Sequence, residues 1–150
     1  MSRTTAKPMD AIALLKNDHR TVEGLFERFE KTTAKAAKEK IAKQVCLELM
    51  VHATIEEEIF YPAVKGVVED DLYEEALVEH DGAKVLIAEI LEGSAGDDYY
   101  DAKVKVLSEY VKHHVKEEEG EMFPMARKAD IDLDALGKKL RERKGELESA

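Results

Sequence analysis

His19, His52, His80 and His114 recur along the chain with two glutamates, Glu56 and Glu118, each placed four residues after a histidine. Imidazole and carboxylate are ligand groups for first-row transition metals, and a four-residue step on a helix sets both on one face about one turn apart. His19 and His80 are 61 residues apart, and His52 with His114 and Glu56 with Glu118 are each 62 apart. HATIEEEIFYP at 52–62 matches HHVKEEEGEMFP at 113–124 when Pro62 is set on Pro124. The two halves therefore read as copies of one helical hairpin.

His19 follows Asp10 by 9 residues and His80 follows Asp71 by 9, while His52 precedes Pro62 by 10 and His114 precedes Pro124 by 10. In a bundle whose helices run alternately up and down, all four histidines fall roughly 15 Å from one end at about 1.5 Å per residue. Four imidazoles and two carboxylates then share a layer, and burying six such groups among Leu, Val and Ile without an ion to engage them costs several kcal/mol each. Six ligands suit two ions better than one. The simplest set gives each metal two histidines, with Glu56 and Glu118 bridging and room for an oxo or hydroxo bridge and one exogenous ligand. Two irons are expected, with two manganese ions or zinc as the alternatives. No glutamate lies three before any of these histidines, which disfavours the ferritin-like Glu-x-x-His arrangement.

Positioning the layer calls for an all-α, up-down-up-down four-helix bundle with a short C-terminal helix. Ile12, Leu15, His19, Val22, Phe26 and Phe29 recur at spacings of three and four after a candidate cap at Asp10, which is one helix face. A second helix begins near Ala34, carries Ile41, Val45, Leu49, His52, Glu56 and Ile59 inward, and is disrupted or ended by Pro62. The third opens on Asp71-Leu-Tyr-Glu74 as a capping box, points Leu77, His80, Lys84, Ile87 and Leu91 inward and closes at Gly93-Ser-Ala-Gly96. A fourth runs from Asp97 or Asp98 through Val104, Leu107, Val111, His114, Glu118 and Met125. A single domain is expected over 1–150, with the bundle at about 10–127 and a last helix at about 132–147 that lays Leu133, Leu136 and Leu140 over it.

Composition narrows the partners. The 33 acids against 23 bases give a formal charge of −10, which repels phosphate backbones and offers no basic stripe to nucleic acid or anionic lipid. Cys46 is the only cysteine, so neither a disulfide framework nor a thiolate cluster is available. No apolar run is long enough to span a bilayer, and MSRTTAKPMD lacks the apolar stretch of a signal peptide. A cytoplasmic protein without nucleic-acid or membrane partners is expected, of undetermined oligomeric state.

The motifs NDHR around His19, HxxxEEExFYP from His52, EHD around His80 and HHxxEEExxMFP from His113 resemble those of the hemerythrin-like HHE cation-binding family. The likeness covers nearly the whole chain, including the LDALGKKLRERKGEL tail, and the four-histidine, two-glutamate set is most similar to the di-iron domain of the repair-of-iron-centres proteins. That resemblance implies a role in nitrosative or oxidative stress. Oxygen-carrying hemerythrins have a further histidine four residues after the one on the third helix. Lys84 stands at that place here, which argues against reversible oxygen carriage. The repair proteins also carry an extra N-terminal cysteine-bearing domain; none is expected here, so thiol-mediated iron donation is not expected to transfer.

Glu23 and Lys84 occupy equivalent places in the two halves, each four residues after a presumed ligand histidine. They read either as an ion pair at the bundle edge or, for Glu23, as a residue supporting or exchanging with the ligands. Tyr110, one turn before His114, reads as a hydrogen-bond partner for a ligand, a quencher of oxidising intermediates or a packing residue. His113 turns about 100° from His114 and leaves the ligand face for a helix boundary or the surface. The acidic runs holding Glu57, Glu58, Glu117, Glu119 and Glu121 read as solvated faces. Cys46 reads as a small buried hydrophobe.

These residues support a di-iron protein that binds or reacts with a small oxidant such as peroxide, nitric oxide or dioxygen; no catalytic residue is assigned. The alternative is a module that senses or stores oxygen or iron without turnover. A third reading, a structural bundle whose polar layer only fixes register, predicts that removing metal changes little.

Overall fold

The computed structural model describes residues 8–150; the leader reading of the first seven residues falls outside them. Among the described residues there are five helices and no strand. Helix α1 spans Ala11–Lys31, its first turn closed by Asp10, whose carboxylate accepts the Ala13 N–H at 2.8 Å. Helix α2 comprises Lys35–Ile55, a π-helical turn at Glu56–Phe60 and a last turn at Tyr61–Val64. Helix α3 is Asp70–Glu92. Helix α4 repeats the build of α2, with Tyr100–Glu117, a π-helical turn at Glu118–Met122 and Phe123–Lys128. Helix α5 is Leu133–Ser149, capped by Asp132.

Short connections force antiparallel neighbours, and α1 packs on α2, α2 on α3, α3 on α4 and α4 on α1, with α5 lying across α1 and α2. The core is in two parts. Val22, Phe26, Val45, Leu49, Leu107 and Val111 belong to one apolar cluster. Ile12, Leu15, Ile55, Phe60, Phe123 and Leu140 belong to the other. Asp18, His19, His52, Glu56, His80 and Glu118 are buried as well. Each large side chain in the two clusters contributes about 1.5–3 kcal/mol on burial, so the apolar layers carry the stability that the polar residues would otherwise erode.

Both π turns start at a glutamate of the repeated pair and end just before Pro62 and Pro124. Proline removes the bond to the carbonyl four residues earlier and clashes with it, and a widened turn relieves that clash without ending the helix. The Tyr61 N–H reaches back five residues to the Glu56 carbonyl, and Phe123 N–H does the same to Glu118. Hence α2 continues past Pro62 instead of ending there. The third helix starts at Asp70 with Glu69 as its cap residue and no side-chain bond, not through the expected Asp71 box. The fourth starts at Tyr100, after Tyr99 turns the chain with a positive φ of 66°.

Gly137 is where α5 meets the start of α1. A Cβ there would lie 2.8 Å from the Met9 carbonyl oxygen and from the Ala11 nitrogen, so only glycine permits this approach. Cys46 is fully buried, and burial pushes its thiol up to about 12. No helix among the described residues is long and apolar enough to cross a membrane.

Candidate metal centre

His19 on α1, His52 on α2, His80 on α3 and His114 on α4 all turn their Nε2 atoms toward Glu56 and Glu118. His52 Nε2 and His80 Nε2 lie 3.2 and 3.1 Å from the same oxygen, Glu56 Oε1. Glu118 divides its oxygens, with Oε1 3.0 Å from His19 Nε2 and Oε2 3.1 Å from His114 Nε2. Two groups of ligand atoms result: His19, His52, Glu56 and Glu118, and Glu56, His80 and His114. Each could hold an ion, and Glu56 belongs to both.

His19 Nε2, His52 Nε2, Glu56 Oε2 and Glu118 Oε1 are buried and have no hydrogen-bond partner. Some lie within ion-pair distance, as above, yet none is aligned for a hydrogen bond. Natively folded proteins rarely leave such atoms unengaged. Four of them converging on one another make a donor set suited to metal ions, so the residues fit the group their types suggest.

The outer nitrogen of every imidazole is held by a carboxylate. His19 Nδ1 meets Glu119 at 2.6 Å, His52 Nδ1 meets Asp18 at 2.9 Å, and His80 and His114 meet Glu57 and Glu79, each at 2.8 Å. A carboxylate can only accept, so each Nδ1 donates and each Nε2 is aimed inward. The four carboxylates come from sequence neighbours of the ligands. Asp18 precedes His19 and Glu79 precedes His80, and each supports the histidine of the other helix in its own half. Glu57 and Glu119 follow the two inner glutamates, and each supports a histidine of the opposite half.

Basic groups stand behind these carboxylates. Arg20 bonds Glu119, Lys84 Nζ lies 2.8 Å from Glu57, Lys144 Nζ lies 2.6 Å from Asp18, and His113 Nε2 lies 3.3 Å from Glu79. The electrostatics follow from this nesting. For His52, burial opposes the charge, but Glu56 and Asp18 outweigh it and raise the imidazole to about 10. His114 is likewise raised against its burial by Glu118 and Glu79, and Glu118 is held well below the usual carboxylate range by His114 and His19 despite complete burial.

Tyr61 was missed by the sequence reading. Its hydroxyl donates to Glu118 Oε2 at 2.7 Å and lies 3.3 Å from Glu56 Oε1, 3.2 Å from His80 Nε2 and 3.1 Å from His114 Nε2. Its counterpart in the other half is Phe123, which stacks on His19 at 6.0 Å between ring centres, as Tyr61 leans on His80 at 5.2 Å. The His80–His114 pair therefore has a phenol beside it where His19 has a bare ring.

Other expectations need correction. Glu23 and Lys84 do not pair with each other: Lys84 takes Glu57, and Glu23 lies 3.3 Å from Arg20 at the surface. Lys84 thus stands behind Glu57, near the site but half-exposed. Tyr110 is 48 % exposed at the rim of a cavity, and the hydroxyl among the ligand atoms is that of Tyr61. Glu57 and Glu119 are not solvated faces but the carboxylates that hold His80 and His19. His113, by contrast, leaves the ligand face for the surface as expected, and there it bonds Glu117 and approaches Glu79.

The family described as Hemerythrin HHE cation binding domain matches residues 10–126. A crystal structure of a hemerythrin HHE cation-binding-domain-containing protein from Mycobacterium kansasii superposes with a TM-score of 0.81 at 22 % identity, covering 94 % of this chain and 88 % of that one. A protein of Nostoc sp. described as a DNA nickase is 26 % identical over 114 residues, which are 76 % of this chain and 32 % of that protein. The chain thus spans about a third of the length of that relative.

Proposed function

Because the chain belongs to the hemerythrin HHE cation-binding family, whose domains bind metal ions, typically iron, we propose that His19, His52, Glu56, His80, His114 and Glu118 hold two iron ions and that the protein binds or consumes small oxidants. His19 and His52 would hold one ion and His80 and His114 the other, with Glu56 and Glu118 completing the donor set. The observation that carries this reading is the convergence of four outward-anchored imidazoles on two carboxylates, with four buried inner atoms left unpartnered.

Bound iron would supply electrons and a Lewis-acidic position for dioxygen, peroxide or nitric oxide. The chain's own residues do the rest. Glu57, Glu79, Glu119 and Asp18 fix ring orientation and leave Nε2 free of its proton once an ion is present. The Tyr61 hydroxyl donates to Glu118 Oε2 at 2.7 Å and stands beside His80 and His114, a proton source within the layer. Apolar residues above and below the layer exclude bulk water from it.

The physiological reading is a cytoplasmic protein of oxidative or nitrosative stress. The nicking named for the longer Nostoc relative is not assigned here, since a formal charge of −10 opposes binding to a phosphate backbone. Purified protein analysed for metal, then followed optically on adding dioxygen, azide, peroxide and nitric oxide, tests the proposal. Iron in the protein with turnover of peroxide or nitric oxide supports it; a metal-free protein indifferent to all four contradicts it.

A further inference from the structure

A cavity of about 150 Å³ lies on the side of the imidazole layer away from Tyr61. Its floor is the four ligand histidines, and its walls include Val22, Leu49, Ile87, Val111 and Val115, all buried. Glu56, Glu118 and Tyr61 are not part of its lining. Lys84 and Tyr110 stand half-exposed at the rim. The walls are mostly apolar, with Asp18, Thr54 and Glu79 as further polar residues of the lining.

Peroxide, dioxygen and nitric oxide are each about the size of a water molecule, whose share of liquid volume is roughly 30 Å³, whereas an apolar cavity of about 150 Å³ stays dry and takes a molecule such as benzene or xenon. The room here exceeds what a diatomic needs. The charged groups of the lining are already engaged: Lys84 by Glu57 at 2.8 Å, Asp18 by His52 at 2.9 Å and Glu79 by His114 at 2.8 Å. An occupant should be neutral, with a hydrocarbon part against the valines and leucine and an oxygen-bearing head toward the histidines.

We propose that this pocket binds a small organic hydroperoxide, its alkyl group of about four to six carbons filling the apolar chamber and its –OOH head facing the imidazole floor. The head's role rests on the two-metal reading above; the fit of the alkyl group does not. Any reduction there would take ROOH, two electrons from an added reductant and two protons to ROH and water, but the proposal concerns binding.

The test is binding of benzene and of tert-butyl hydroperoxide to the zinc-loaded protein, followed by ligand-observed NMR. Zinc keeps redox chemistry silent. Saturable benzene binding that tert-butyl hydroperoxide displaces is expected, and Val111→Phe, which fills the chamber, should weaken it by about tenfold or more with metal content unchanged. Should that variant fail to fold, Leu49→Ala, which enlarges the chamber, should shift the preference toward larger aromatics. Loaded protein that binds neither probe, or that binds them equally in the wild type and in every folded variant, overturns the proposal while leaving the metal reading intact. Benzene binding by a protein that takes up no metal overturns the assignment of the head and the metal reading with it.

Discussion

Asp18 sits next to His19 in the chain but accepts its hydrogen bond from His52 on the following helix, at 2.9 Å. Glu79, next to His80, does the same for His114 at 2.8 Å. Each hairpin thereby locks its two histidines to each other. Losing one such carboxylate typically costs ten- to a hundredfold in metal affinity. Asp18→Asn and Glu79→Gln should each weaken metal binding by about that factor, read by competition with a chelator. Unaltered affinity in both variants would mean that the carboxylates do not support ligands.

Asp18 is also reached from the far end of the chain, because Lys144 on α5 lies 2.6 Å from it. The seating of α5 depends on Gly137, whose added methyl would meet backbone atoms at 2.8 Å. Gly137→Ala should therefore destabilise the protein by about 1–3 kcal/mol, seen as a lower melting temperature, and should weaken metal binding through the displaced lysine. Lys144→Met should reproduce the second effect with a smaller loss of stability.

Metal binding should release protons. His52 is raised to about 10 and His114 is raised as well, so the metal-free protein at neutral pH carries protons that a bound ion must displace. Affinity accordingly falls as pH falls. Calorimetry in buffers of different ionisation enthalpy reads the proton count directly. For the metal-free fold the sign is opposite: a histidine raised in the folded state adds stability that is fully present below its unfolded value of about 6.5 and is lost as pH rises toward 10.

Tyr61→Phe turns the second half of the site into a copy of the first, where Phe123 already stands. The ring is kept, so folding should survive with a loss of about 1 kcal/mol from the missing hydrogen bond. Both ions should still bind, while the visible spectrum of the iron-loaded protein changes, because the hydroxyl that touches Glu118, His80 and His114 is lost. An identical spectrum would remove Tyr61 from the site's chemistry.

The bundle and the layer were legible because helical periodicity and the repeat of 61 or 62 residues act together: one fixes faces, the other fixes heights. Tyr61 was hidden for the same reason. A 3.6-residue period continues the Glu56 face to Ile59 and Phe60, but the π turn places the fifth residue over the first, so the tyrosine swings into the layer. Glu57 and Glu119 looked like solvated charge because each lies in an acidic run and its partner histidine is in the other half of the chain. Lys84 was read as a partner of Glu23 by symmetry, yet the two halves are packed together and not apart, and the acid closest to Lys84 is Glu57. Local pattern reports faces; exchanges between halves belong to packing.

Metal content per chain, measured on the purified protein alongside its melting temperature before and after chelation, bears most directly on the proposed centre. Two ions per chain, a marked fall in melting temperature when they are removed, and loss of both ions in a Glu56→Ala, Glu118→Ala double variant are the predicted results. A protein that holds no metal and melts at the same temperature with and without chelator would contradict it.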